Sequence, residues 1–172
     1  EANPNKIPND VTVIVIPTLN PDGVSQHTRF NSNGVDLNRN FSTADWQAET
    51  YILDASYPDG GGSAPLSEPE SKAIANYVLR YRPYLTLSYH SAAAVTIAND
   101  NSSSFSYGKR YASLSGYRYV PPTDSSTFTY PITGSFGRWA AENGLPALII
   151  ELATGYSSET VRNFPAMWEM IQ

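Results

Sequence analysis

Residue types that can carry acid–base, metal or carboxylate chemistry follow three apolar runs of the sequence. His90 ends the run YLTLSYH, Glu151 ends ALIIE, and a polar segment with Arg29, Asn38 and Arg39 comes after VTVIVI. A neutral imidazole binds metal ions, a carboxylate accepts protons, and a guanidinium group binds a carboxylate bidentately. Sites in open α/β sheets form beyond the carboxyl ends of the strands, so the sequence predicts a site where these groups converge.

Each of these residues also has a structural interpretation. His90 can be a satisfied structural histidine, and Asn38 and Arg39 can be turn and surface residues. Glu151 can form a structural ion pair or act as a base, because a half-buried carboxylate needs a partner or has a raised pKa. Tyr130 is one aromatic residue among twelve tyrosines.

The elements that would position these groups are strands alternating with helices. Interior strands are predicted over 11–16, 84–90, 95–98 and 147–152, where the apolar runs are rich in β-branched residues. Helices are predicted after a Ser67–Glu70 capping box, over 107–114, from about 135 to the cap at Gly144, and over about 158–171 with a possible break at Pro165. The opening EANPNKIPND is expected to be the tail of a helix that leads into a loop. This alternation predicts an α/β fold with a mixed, largely parallel central sheet flanked by helices.

Length and composition limit the other possibilities. The 172 residues suit one domain spanning 1–172, and a net charge of −5 argues against nucleic acid as a partner. No apolar run reaches membrane-spanning length, so we expect no membrane partner. There is no cysteine, which excludes thiolate zinc sites and cysteine nucleophiles. The hydroxyl-rich composition suggests a secreted or cell-envelope protein, although the sequence leaves the compartment undetermined.

The order of the motifs resembles one known family. NPDG, Arg29, GVDLNRNF, SEPE, a strand ending in His90, TYPITGSFGRW and IIEL follow one another as in the zinc carboxypeptidases of the pancreatic A/B type. The combination of GVDLNRNF with NPDG is specific, and the resemblance spans nearly all of the chain. GS-x-G-x-W-A-A-E-x-G-L-P together with SEPE is most similar to the bacterial murein-peptide amidases and γ-D-glutamyl-diaminopimelate peptidases.

The resemblance implies a zinc carboxypeptidase-like fold and a role for each candidate residue. The implied catalytic residues are a general base and a group that polarises the scissile carbonyl, namely Glu151 and Arg29. The implied substrate and metal residues are the clamp for the terminal carboxylate, a mobile tyrosine over the substrate, and the last zinc ligand: Asn38 and Arg39, Tyr130, and His90.

Other positions near these residues are expected to brace the loop or to influence substrate specificity. Asp36 and Asn40 are expected to brace the loop. Gly137 falls where digestive members carry a specificity-setting side chain, which implies a roomy pocket. Arg138 could attract an acidic or zwitterionic group such as diaminopimelate, or it could be an exposed helical residue.

The zinc ligands are incomplete in this sequence. A catalytic zinc takes about three protein ligands, whereas the sequence has only His27 and His90 and no His-x-x-Glu. We expect His27 to be a surface residue and the two further ligands to lie upstream of Glu1, with the N-terminal strands of the fold missing. The isolated chain is then expected to have little or no activity, and to dimerise, pair with the missing segment or be poorly soluble.

Two functions remain in competition. The first is a zinc-dependent hydrolase of short peptidoglycan-type peptides with a free carboxylate, incomplete here. The second is a non-catalytic member of the same fold that binds a peptide carboxylate. A serine hydrolase has no support, because the sequence lacks a G-x-S-x-G elbow.

Overall fold

The first third of the chain is mostly loops around four short elements. The computed structural model describes residues 7–53, 55–124 and 126–172, so the helix tail expected in EANPNKIPND falls largely outside the described residues. Helix α1 (Pro21–Gln26) begins after Asn20, whose side chain accepts a hydrogen bond from the Gly23 amide. A 3₁₀ turn covers Leu37–Arg39, and β1 (Thr50–Ile52) pairs antiparallel with β2 (Ala55–Tyr57).

The remainder of the chain alternates helices with the strands of one sheet. The elements in order are α2 (Pro69–Tyr81), β3 (Thr86–Ser91), β4 (Val95–Ala98), α3 (Ser102–Ser115), β5 (Arg118–Val120), α4 (Phe136–Glu142), β6 (Ala147–Leu152) and α5 (Thr160–Glu169). The strand order is β3-β6-β4-β5, with parallel β3·β6 and β4·β5 pairs and an antiparallel β4·β6 pair. The predicted mixed, largely parallel sheet is therefore confirmed. No helix in the described part of the chain is long and apolar enough to cross a membrane.

Strand β6 is buried on both faces because helices cover both sides of the sheet. Ala147 joins an apolar cluster with residues of α2 and α4, including Val78 and Trp139. Its neighbour Leu148 joins a second cluster with Tyr111 of α3 and Ala166 of α5. This alternation follows from the period of two in a strand and explains why ALIIEL is almost uniformly apolar.

Most predicted elements are present, with shifts at their ends. Gly116 closes α3 in the left-handed conformation at φ 73°, but the helix begins earlier than predicted, at Ser102. The predicted Ser67–Glu70 capping box was wrong. The N-cap of α2 is Glu68, because Pro69 occupies the first helical turn and the helix therefore begins one residue later than a Ser67 cap would require. Helix α5 is continuous, with Pro165 inside it.

The predicted interior strand over 11–16 was also wrong. The segment pairs with no other strand in the described ranges, and Val13, Val15 and Ile16 are 40%, 75% and 49% exposed. β-Branched residues favour a strand only when a neighbouring strand and a covering layer bury them. Strand β3 has one partner, β6, so its outer edge is likewise unpaired among the described residues.

Exposed apolar side chains and an unpaired strand edge each favour association between copies. We expect the double substitution Val13→Lys/Val15→Lys to raise the monomeric fraction in size-exclusion chromatography. The free energy of unfolding should change by less than about 0.5 kcal/mol, because neither side chain is buried.

Val161→Lys is the matched control, because Val161 is 91% exposed and belongs to α5 rather than to this segment. It should leave the monomeric fraction unchanged. A loss of more than about 2 kcal/mol in the double variant would show that the segment is buried in solution and would contradict the description above.

Candidate active site

One cavity of about 920 Å³ collects the candidate residues from distant parts of the sequence. It is lined by all six residues that the sequence analysis assigned to the site: Arg29, Asn38, Arg39, His90, Tyr130 and Glu151. His27 is exposed at the end of α1 and does not line the cavity, as expected of a surface residue. The predicted convergence is therefore present in the fold, although the segment that precedes Arg29, Asn38 and Arg39 is not a strand.

The register of the sheet puts His90 next to Glu151. The two residues are direct partners in the parallel β3·β6 pair. Paired residues of adjacent strands have their side chains on the same face, with the strands about 4.8 Å apart. A candidate metal ligand and a candidate base are thus held side by side by backbone hydrogen bonds.

His90 is kept in its neutral form. Burial and the neighbouring guanidinium groups of Arg29 and Arg39 lower its pKa to about 4, although Asp36 acts in the opposite direction. Its Nε2 lies 3.0 Å from the Ser88 hydroxyl. Neutral imidazole is the form that coordinates a metal ion, so the electrostatics suit a ligand role.

Glu151 is a buried carboxylate with no hydrogen bond to its side chain from the described residues. It is 9% exposed, and burial raises its pKa, while the positive charges of Arg29 and Arg39 pull the pKa down. Burial favours the protonated form and nearby cations favour the ionised form. A carboxylate balanced in this way is suited to accepting and returning a proton.

Arg29 is held by a carboxylate from its own loop. Its Nε donates to Asp36 Oδ2 at 2.6 Å, and the Asp36 side chain is 4% exposed, whereas that of Arg29 is 39% exposed. Asp36 Oδ1 also accepts a hydrogen bond from the Asn38 amide at 3.0 Å. This agrees with the expected bracing role of Asp36, which fixes one end of the guanidinium group and leaves the other end in the cavity.

Asn38 and Arg39 present hydrogen-bond donors to the same cavity. Asn38 Oδ1 accepts from the Phe136 amide at the start of α4 at 2.9 Å, and its Nδ2 has no acceptor among the described residues. Arg39 is only 2% exposed and donates from one terminal nitrogen to the Asn38 carbonyl at 2.8 Å. Its Nε has no partner among the described residues. Burial lowers its pKa, with Asp36 opposing the shift, but a guanidinium group stays charged.

Asn40 joins this loop to the start of α2. It is fully buried, and its Nδ2 donates to the Gly61 carbonyl, the Ala64 carbonyl and the Ser67 hydroxyl at 2.7, 3.0 and 3.0 Å. Its Oδ1 accepts from the Glu68 amide and the Ser71 hydroxyl. Asn40 therefore braces the loop as expected and fixes the backbone next to Arg39.

Tyr130 lies in the segment between β5 and α4, half-buried and without a side-chain hydrogen bond to a described residue. Its ring packs edge-on against Phe128, with 6.1 Å between the ring centroids. The Tyr130 hydroxyl group therefore has no hydrogen-bond partner among the described residues, and its side chain lines the cavity.

Asn99, a buried lining residue directly after β4, was not among the residues predicted from the sequence. Its Nδ2 donates to the carbonyls of Gly137 and Leu145 at 3.3 and 2.8 Å. The signal was available, because Asn99 follows an apolar strand in the same way as the other candidates.

The room expected at Gly137 is partly filled, since a Cβ there would meet Ile149 Cδ1 at 2.7 Å. Arg138 is half-exposed and pairs with Asp45 and Glu142, each at 3.2 Å.

The described residues do not by themselves fit a catalytic zinc. Such a zinc takes about three protein ligands, and His90 is the one histidine lining the cavity. The described ranges contain no group of three or more histidine, aspartate, glutamate or cysteine side chains that could hold a metal ion.

Comparisons with known proteins agree with the motifs. The family model for zinc carboxypeptidases matches residues 2–159. Murein peptide amidase A of Escherichia coli K12 is 30% identical over 160 residues, which are 87% of this chain and 62% of that protein. Human carboxypeptidase A6 is 32% identical over 190 residues, covering 88% of this chain and 41% of that protein. The chain thus spans less than two thirds of the length of either relative.

Solved structures show the same fold. The murein-tripeptide amidase MpaA of E. coli O157 superposes with a TM-score of 0.72 at 30% identity, covering 89% of this chain and 65% of that one. Carboxypeptidase A of Helicoverpa armigera gives a TM-score of 0.64 at 18% identity, over 91% of this chain and 48% of that one.

The hydrogen bonds of Asn40 lead to a stability prediction. Asn40→Ala removes several buried hydrogen bonds at once and should lower the free energy of unfolding by about 3 kcal/mol, measured by urea denaturation. Asn33→Ala is the control, because exposed Asn33 makes one side-chain donation, to Glu68, and should cost about 1 kcal/mol or less. Equal losses in the two variants would contradict the central role of Asn40.

Proposed function

Because the chain belongs to the zinc carboxypeptidase family, we propose that it carries the substrate-binding and proton-accepting part of a peptide hydrolase. The family and the murein peptide amidase relatives support hydrolysis of peptides or amides in general. The finer proposal is that the substrate is a short peptidoglycan-type peptide with a free carboxylate.

The proposed binding step uses Asn38 and Arg39. A carboxylate can accept from the terminal nitrogens of Arg39 and from the Nδ2 of Asn38, because both residues line the cavity and the Phe136 amide occupies the Oδ1 of Asn38. Hydrogen bonds between ionised partners are the strong ones. The half-exposed Arg29 is proposed to stabilise negative charge on the carbonyl oxygen, and Tyr130 to cover the bound peptide.

The proposed proton acceptor is Glu151. Its buried carboxylate can take a proton from the attacking water and return it to the leaving amine, so that one group serves both half-steps. The observation that carries the whole proposal is that these side chains line a single cavity although they come from residues 29 to 151 of the sequence.

We propose zinc as the metal of the whole protein, with His90 as one ligand and two further ligands from outside Glu1–Gln172. The shortage of ligands within the described residues supports this, as do the longer relatives. If two zinc ligands come from outside Glu1–Gln172, the chain alone has little or no peptidase activity. The same shortage of ligands favours the second candidate function, a non-catalytic protein that binds a peptide carboxylate.

The carboxylate clamp can be tested without any metal. We expect γ-D-glutamyl-L-norleucine to bind about tenfold more tightly than its C-terminal amide in calorimetric titration, because only the free acid has a carboxylate at its C-terminus. The α-carboxylate of the glutamyl residue is present in both peptides and does not contribute to the difference. Arg39→Lys should reduce the difference in affinity between acid and amide, since lysine keeps the positive charge but cannot bind a carboxylate bidentately.

Arg138→Lys is the matched control for the clamp. Arg138 lines the same cavity but is paired with Asp45 and Glu142, so its substitution should preserve the preference for the free acid. Equal binding of acid and amide by the unaltered chain would contradict the proposed function in both its forms.

The zinc proposal predicts weak metal binding by the chain alone. Elemental analysis after competition with a chelator should find the chain free of zinc, since one imidazole is too few ligands, and γ-D-glutamyl-diaminopimelyl peptides should not be hydrolysed. His90→Ala should give the same result. Stoichiometric zinc that resists the chelator and is lost in His90→Ala would show that the ligand set is complete and would overturn the proposed inactivity.

A further inference from the structure

The backbone that follows Glu151 is held by a single carboxylate. Strand β6 ends at Leu152, directly after Glu151. The next two amides, those of Ala153 and Thr154, donate to Glu159 Oε1 at 2.8 and 3.3 Å. The end of a strand opens readily unless it is tied to other parts of the fold. Glu159 therefore closes the end of the strand that carries the proposed proton acceptor.

The carbonyl of Leu152 connects this point to the cavity wall. It accepts hydrogen bonds from the amides of Ala93 and Ala94 at 3.0 and 3.3 Å. Ala93 lines the cavity, as do the two residues before it. This part of the wall is thus attached to the residue that lies between Glu151 and the two amides bound by Glu159.

Glu159 is in turn fixed by two neighbouring side chains. Its Oε2 accepts from the Tyr117 hydroxyl at 2.6 Å and lies 3.4 Å from Arg162 Nη1. The Arg162 guanidinium group stacks over the Tyr117 ring, 4.8 Å from its centroid. Glu159 has a left-handed backbone at φ 47°, a conformation that a residue other than glycine keeps only when its surroundings impose it.

The same hydrogen bonds continue to the strand of His90. Asn163 Nδ2 donates to the Tyr117 hydroxyl at 3.2 Å, and Asn163 Oδ1 accepts from the Tyr111 hydroxyl at 2.8 Å. The Tyr111 hydroxyl lies 2.9 Å from that of Tyr89, which directly precedes His90 in β3. None of these four side chains lines the cavity, so they act on the site only through the backbone.

The buried carboxylate of Glu151 favours opening of this strand end. It is 9% exposed and accepts no hydrogen bond from the described residues. An ionised carboxylate gains hydration when it moves into water, so burial of Glu151 opposes the ordered arrangement. Contacts at the end of β6 have to offset this cost, and Glu159 supplies them at the two amides that come next.

We propose that Glu159 is a positioning residue, which keeps Glu151 and the wall at Ala93 in the arrangement that binds a peptide. This inference rests on the proposed function, because it concerns the cavity in which the peptide is proposed to bind. Without the Glu159 carboxylate, a form with the end of β6 open becomes populated. The apparent affinity for a ligand then falls in proportion to the fraction of molecules that remain ordered.

The test compares Glu159→Ala with Glu159→Gln in the whole chain. Binding of γ-D-glutamyl-L-norleucine is measured by calorimetric titration, and opening by hydrogen exchange of the Ala93 amide, whose acceptor is Leu152 and not Glu159. Glu159→Ala should weaken binding about fivefold, which corresponds to an open form in about four fifths of the molecules, and should leave the Ala93 amide almost unprotected. Glu159→Gln keeps an oxygen for the Ala153 and Thr154 amides and should restore most of the affinity and of the protection.

Tyr117→Phe is a milder second variant, because it removes one donor to Glu159 and keeps the ring under Arg162. It should raise the exchange rate of the Ala93 amide about tenfold and change the affinity by less than about twofold, since the open form stays a minority. Unchanged exchange at Ala93 in this variant would count against the inference even if Glu159→Ala failed to fold.

Glu169→Ala is the matched control. Glu169 is an exposed residue of α5 that pairs with Arg110, and its loss should change neither the affinity nor the exchange of Ala93. A merely structural role for Glu159 would lower the free energy of unfolding and leave the folded molecules binding normally. Unchanged affinity and Ala93 exchange in folded Glu159→Ala, or equal losses in Glu169→Ala, would therefore overturn the inference.

The inference and the proposed function can fail separately. If the unaltered chain prefers γ-D-glutamyl-L-norleucine to its amide and Glu159→Ala binds the acid equally well, only the inference fails. If the unaltered chain binds acid and amide equally, the proposed function fails, and the positioning role fails with it.

Discussion

The side-chain amide of Asn40 is the contact on which the rest of the site depends. It is fully buried and hydrogen-bonded to both the loop at Gly61 and the first turn of α2. Loops cannot be buried unless their polar groups find partners, so a single amide with many partners can hold long irregular segments together. Because Arg39 precedes Asn40 in the chain, the same contacts that join these segments also set the position of a buried guanidinium group.

The second constraint is the register of β6. This strand places Leu148 and Ile150 toward α3 and α5, and the intervening Ile149 and Glu151 toward the cavity. A shift of one residue would exchange the two sets, burying Glu151 in the apolar cluster at a large energetic cost. The hydrophobic core on one side of the sheet thus determines which side chains face the site on the other. Packing and function are specified by the same alternation.

The sequence analysis succeeded where a signal is local and failed where it depends on distant partners. Polar residues after apolar runs indicated the site, and the family motifs indicated the fold, which the comparisons confirmed. ALIIEL and VTVIVI look equally strand-like, but only ALIIEL has neighbours on both sides, and composition carries no information about neighbours. The His90–Glu151 pairing and the hydrogen bonds of Asn40 are likewise non-local. Asn99 was detectable and was overlooked.

Arg39 shows how the site differs from the core around it. A buried guanidinium group loses its hydration, and its Nε has no acceptor among the described residues, so burial of this side chain opposes folding unless an anion compensates it. Asp36 and Glu151 compensate through their charge, and the proposed substrate carboxylate would add a further negative charge. A ligand that binds the folded chain and not the unfolded one stabilises the fold in proportion to its affinity. Arg39 is therefore in a locally unfavourable arrangement that Asn40 holds in place and that the proposed substrate carboxylate would relieve.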